Sequence, residues 1–234
     1  MADKPRVKAP KKRVPAKSEG ADRRKAGVIA GVAALLLVAV VGAFFLLGSG
    51  GGSGGVNADE VKAALAAADC TLEVKPAVPN ASNHSDFPDP SATSPRWNTD
   101  PPTSGPHYGV TLIYGNYDEP IEIGRLVHNL EHGGVYILYG DEVPEATIAQ
   151  LESFYDAHQN GTVLAPYEKL GNQIALGAWL ADGLPEASSD RGSGVLAKCT
   201  NFDEAAFAAF FDAFQFKGPE SAFIGPSDMR PGDN

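Results

Sequence analysis

The chain has 234 residues and a formal net charge of −10, but the charge is divided: residues 1–25 carry ten Lys and Arg against three acidic residues. The remainder holds nine basic and 26 acidic residues, a balance near −17. That balance excludes a nucleic-acid-binding surface and leaves solubility, or attraction of cations, as its use.

Residues 1–25 are rich in Pro and Lys with almost no large apolar side chain, so they read as a disordered basic tail. Residues 26–47 contain no charged side chain. A helix of that length spans roughly 30 Å, the thickness of a bilayer core. Basic residues crowd one flank only, which the positive-inside rule keeps in the cytoplasm. The run is longer than that of a cleaved signal peptide and no A-x-A site follows it. It also lacks the polar face expected of a core helix next to water. The expectation is a single-pass anchor in the cell membrane, its N-terminus cytoplasmic, its tail against anionic lipid of the bilayer, and the rest of the chain outside.

Residues 48–56 form a Gly/Ser linker, reading GSGGGSGG over 48–55. Residues 57–234 are then one extracytoplasmic globular domain, long enough to bury a core. Asn57 is a helix cap, with Asp59 and Glu60 in the first turn of an Ala-rich helix running to about Ala68. Residues 76–106 contain eight prolines with Ser, Asp and Asn, and form a long irregular segment of the kind that carries function. The apolar runs 110–114 and 135–139 read as strands. Between them, residues 124–132 form a short helix stopped by Gly133 and Gly134. Residues 144–158 form an amphipathic helix with Ile148, Leu151 and Tyr155 on one face. Residues 162–165 and 173–180 are strands by their β-branched and aromatic content. In the helix at 203–216, Phe207, Phe210, Phe211 and Phe214 recur at helical spacing and pack the core. The expected fold class is α+β, a mixed, partly antiparallel sheet with flanking helices, preceded by the transmembrane helix.

Cys70 and Cys199 are the two cysteines. In an oxidising compartment they form a structural disulfide tying the first helix to the segment before the last one. Of five histidines, four fall between His84 and His132. His107 sits in PPTSGPHY, a loop stiffened by Pro101, Pro102 and Pro106. His128 and His132 are spaced i, i+4, so a helix presents both imidazoles on one face, the spacing that chelates a transition metal. His84 can supply a further nitrogen. His158, at a helix C-terminus, reads as structural. Residues 128–132 also fit H-x-x-E-H, the inverted zinc-peptidase signature, in which Glu131 is the general base.

PPTSGPHYG at 101–109, GNY at 115–117, RLVHNLEHGGVYILYG at 125–140, the ALGAW stretch ending at Trp179 and GPE at 218–220 together resemble a bacterial family, the domain of unknown function 3105. The resemblance covers roughly residues 68–225. It implies an anchor, a linker and a shared outer domain, with no established activity. It also implies that His84, His107, His128 and His132 occupy the family's histidine positions and Glu131 its acidic neighbour.

The expected function is a membrane-tethered, extracytoplasmic domain binding copper or zinc through His84, His107, His128 and His132, with Glu131 fixing an imidazole tautomer. Met229 is a candidate soft ligand on a mobile tail, more simply inert. Two other readings stand beside it. One is a zinc hydrolase using Glu131. The other is a metal-free module whose histidines and Tyr108, Tyr114 and Tyr117 form a rigid surface for an envelope partner.

Overall fold

A computed structural model describes residues 58–78, 84, 97–182 and 191–233. The basic tail, the apolar segment, the linker and the Asn57 cap lie outside the described residues. Among the described residues no helix is long and apolar enough to cross a membrane.

Helix α1 (Ala58–Leu65) runs into a 3-10 turn (Ala66–Ala68), and strand β1 (Thr71–Pro76) follows. Next come β2 (Gly115–Asn116), α2 (Ile123–Glu131), β3 (Val135–Tyr139), α3 (Glu145–Ala157), β4 (Thr162–Pro166), β5 (Ile174–Leu180), β6 (Ser193–Cys199) and α4 (Glu204–Phe214). The strands form one mixed sheet in the order β1-β6-β5-β3-β4-β2. The neighbours from β1 through β6 and β5 to β3 are antiparallel, whereas β4 runs parallel to β3 and β2 parallel to β4. This is the expected α+β class with a partly antiparallel sheet.

The sheet is covered on both faces, which is why its central strands read as unbroken apolar runs. Strand side chains alternate between faces. Val135, Ile137 and Tyr139 of β3 join a core built with α1, α3 and the four phenylalanines of α4. Tyr136 and Leu138 join a second core with Leu126, Val127 and Leu130 of α2 and with Leu112, Tyr114 and Tyr117. Burying each α4 phenylalanine stabilises the fold by about 1.5–3 kcal/mol. That helix starts where Asp203 Oδ1 accepts the Ala206 N–H at 2.9 Å, an N-cap.

Cys70 and Cys199 are bonded as expected. They extend the β1–β6 ladder by one position beyond the Thr71 and Lys198 pair, so the bridge staples an edge strand to its neighbour.

Two sequence readings need correction. Residues 110–114 do not form a strand. Their backbone is held instead by a side chain: Asn129 Oδ1 accepts the Leu112 N–H at 2.8 Å and Asn129 Nδ2 donates to the Leu112 carbonyl at 2.9 Å. Strands β1, β2 and β6 went unpredicted. β1 is a short edge strand with alternate residues exposed and Pro76 at its end, where a missing N–H does no harm.

Candidate metal centre

The second face of the sheet builds the site. The proline loop crosses it, with Asn98 as its internal brace: Asn98 Oδ1 accepts N–H bonds from Ser104 at 2.9 Å and Thr103 at 3.4 Å, and the Thr103 hydroxyl at 3.1 Å. Trp97 Nε1 donates to the Pro106 carbonyl at 3.0 Å. Tyr136 reaches across Gly177, its partner in the β3–β5 register, and donates its hydroxyl to the Pro101 carbonyl at 3.3 Å. Any Cβ at Gly177 collides with that ring, so the absence of a side chain there lets β3 hold the loop. The result is a fully buried His107 whose ring lies nearly perpendicular to that of Trp179, their centroids 6.1 Å apart.

Helix α2 carries the other donors. His132 is its C-cap, and Gly133 follows at φ +97°, a conformation that suits glycine. Gly133 N–H donates to the Leu130 carbonyl at 2.9 Å and Gly134 N–H to the Asn129 carbonyl at 2.8 Å, the two bonds of a Schellman ending. The remaining Glu131 carbonyl accepts the Glu220 N–H at 2.9 Å, which brings residues 218–220 onto the helix end.

His84, His107, His128 and Glu131 converge so that one ligand atom from each lies within 4.8 Å of all the others. Glu131 Oε2 is 3.0 Å from His107 Nε2 and 3.3 Å from His84 Nε2. A tetrahedral ion with bonds of about 2.0–2.1 Å needs ligand separations of about 3.3 Å, so the 3.3 Å edge to His84 already matches and the 3.0 Å edge to His107 is slightly short. Ring centroids of His84, His107 and His128 are 4.6–4.9 Å apart.

The hydrogen-bond accounting is incomplete without a cation. His107 Nδ1–H donates to the Gly105 carbonyl at 2.8 Å. A neutral imidazole has one N–H, so its Nε2 then turns a lone pair toward a carboxylate oxygen. Only a proton or a metal ion between them makes that contact favourable. His128 Nδ1 is buried with no hydrogen-bond partner. Burial first, then the neighbouring His132, His107 and His84, lower the His128 pKa to about 3 against the opposing pull of Glu131. His128 is therefore a neutral imidazole at physiological pH, the form that ligates metal. On donor chemistry the residues fit a transition-metal ion: three imidazoles, one carboxylate, and no thiolate.

His132 falls into a second, overlapping group with His128 and Glu220. Its Nε2 is 3.3 Å from Glu220 Oε2, and its ring centroid is 4.5 Å from that of His128. Burial lowers the His132 pKa most, while partial burial and the Glu131 charge raise that of Glu220. Sequence reasoning expected the four histidines as ligands and Glu131 as a tautomer-fixing partner. The fold instead sets Glu131 among the candidate ligands of three histidines and His132 beside them. Glu220 was missed, although GPE was one of the motifs noted. Nothing local ties it to the helix far upstream.

The remaining candidates sit elsewhere. Met229 is fully buried in the second core, and its carbonyl accepts the Gly161 N–H at 2.7 Å. The tail is thus docked, not mobile, and Met229 belongs to neither candidate ligand group. His158 stacks on Phe154 at 4.0 Å and pairs with the Phe154 carbonyl at 2.9 Å, a structural role. Tyr114 and Tyr117 are buried in the core and offer no surface to a partner, while half-buried Tyr108 lies under Arg125.

No curated protein and no solved structure matches the chain. A family model matches residues 90–224, a span that includes His107, His128, Glu131, His132 and Glu220 and leaves out His84. With more than half of its length matched, the chain belongs to the family described as "Protein of unknown function (DUF3105)".

Proposed function

We propose that this protein is a membrane-tethered, extracytoplasmic domain that holds one transition-metal ion, copper ahead of zinc, at His84, His107, His128 and Glu131. The observation that carries the reading is the convergence of four donor atoms within 4.8 Å, three of their residues buried. Imidazole donors suit both ions, and divalent copper binds a given nitrogen and oxygen set more tightly than zinc. The uncharged residues 26–47 support the anchor, and the basic residues 1–25 support contact with anionic lipid on the cytoplasmic face. An envelope protein that receives or supplies the ion is the partner this reading calls for. Protease treatment of intact cells should digest the domain and spare the tail.

Elemental analysis of the full-length chain in detergent, loaded with copper or zinc chloride at neutral pH, tests the site. One ion per chain is expected, lost in His128→Ala. A wild-type chain that retains neither metal refutes the proposal.

A second reading rests on one observation. His128, His132 and Glu220 supply the three protein ligands that an H-x-x-E-H zinc hydrolase requires. There Glu131→Gln keeps the metal and abolishes peptide hydrolysis, whereas in the preferred reading it loses affinity for the metal.

A further inference from the structure

Building on the metal-binding reading above, we infer that His128, His132 and Glu220 form a loading site through which the ion reaches the buried set, the two sites sharing His128. The three residues place two nitrogens and a carboxylate oxygen within 4.8 Å of one another. Three protein ligands of this kind leave a coordination position open to water.

Exposure decreases from this site inward. The Glu220 and His132 side chains are 36% and 15% exposed, while those of His107 and Glu131 are fully buried. An ion arriving from water sheds its hydration shell in steps. A half-exposed carboxylate beside an imidazole replaces waters one at a time.

His128 links the two sets, its ring centroid lying 4.5 Å from His132, 4.6 Å from His84 and 4.9 Å from His107. A neutral imidazole has a single lone pair, so His128 serves one set at a time. An ion held on it changes its other partners without returning to water: His132 and Glu220 let go as Glu131, His107 and His84 take hold. The sets keep a fixed relation, because His128, Glu131 and His132 share the end of one helix and the Glu220 N–H is bonded to the Glu131 carbonyl at 2.9 Å. The competing way in passes His84, whose side chain is 36% exposed. Among the described residues, that route offers the ion one nitrogen ahead of the buried set, and no carboxylate.

Stopped-flow uptake of Cu(II) by the full-length chain in detergent micelles tests the inference. Glu220→Gln and His132→Asn each remove a direct ligand of the loading site and should each slow uptake at least about tenfold, the lower bound by which loss of even an outer partner weakens a metal site. Glu119→Gln, which removes an exposed carboxylate outside both sets, should leave the rate unchanged. Uptake at the wild-type rate in both variants overturns the inference. Binding of two ions per wild-type chain overturns it too, because His128 is then not passed from one set to the other. A wild-type chain that takes up no copper instead defeats the metal-binding reading itself, before either variant is compared.

Discussion

Glu131→Gln separates a metal ligand from a structural ion pair. Glu131 is fully buried, with Oε2 at 3.0 Å from His107 and 3.3 Å from His84. If the cluster were simply a buried salt bridge, removing the negative charge would cost about 3–5 kcal/mol. If it is a metal site, the metal-free protein should tolerate the change. The replacing amide donates its N–H to the His107 Nε2 lone pair, and the Gly105 bond keeps the neutral tautomer. We expect the metal-free variant to stay within about 1 kcal/mol of wild type, a shift in Tm of roughly 2–4 °C. The metal response should collapse. An ion present at about a thousand times its Kd stabilises wild type by about 4.1 kcal/mol. Loss of a direct anionic ligand is taken at the upper bound for a supporting group, roughly a hundredfold in affinity. The same ion concentration then contributes only about 1.4 kcal/mol. In thermal melts of the full-length chain, the copper-induced rise should fall from about 8–16 °C to about 3–6 °C. A metal-free variant that loses 3 kcal/mol or more, with an unchanged copper response, refutes the reasoning.

Three further outcomes follow from the same geometry. His128 has a folded pKa of about 3, below its ordinary 6.5, so between those values the unfolded chain binds the additional proton. The metal-free protein should therefore lose roughly 1.4 kcal/mol per pH unit as pH falls below 6.5, a slope that urea unfolding at several pH values would show and a flat profile would contradict. The Cys70–Cys199 bridge closes a loop of 129 residues, and replacing both cysteines by serine should cost about 4–5 kcal/mol, read from denaturant midpoints. Asn129→Ala leaves the Leu112 N–H and carbonyl buried without their partner and should cost about 2–4 kcal/mol; a loss under about 1 kcal/mol would mean that water or a backbone shift replaces both bonds.

What the sequence shows depends on whether the deciding interaction is local. The α4 phenylalanines, the apolar run of β3 and the Gly133–Gly134 stop are decided within a few residues, and each is readable. β6 is not, because SGVLAKC becomes a strand by pairing with β1 and β5. The run at 110–114 misleads for the opposite reason. Its pattern is strand-like, but its backbone partner is the Asn129 amide on a helix. The i, i+4 spacing finds His128 and His132 together and the proline loop singles out His107. It cannot tell which histidine faces the buried carboxylate, since that depends on how α2 is rotated against the sheet.

That rotation explains the division of roles among the donors. Leu126, Val127 and Leu130 are fully buried in the second core and fix which side of α2 faces the sheet. With that side set, Glu131 turns inward toward His107 of the loop, while His132, at the helix end, meets Glu220 at the margin. The bond from the Glu220 N–H satisfies a helix-end carbonyl that the Schellman ending leaves open, so the contact that completes the helix also positions the outer carboxylate. Helix end and ligand cluster thus form together. A chain able to fold α2 against its sheet has thereby placed His128, Glu131 and His132, the donors this helix gives to the two sets.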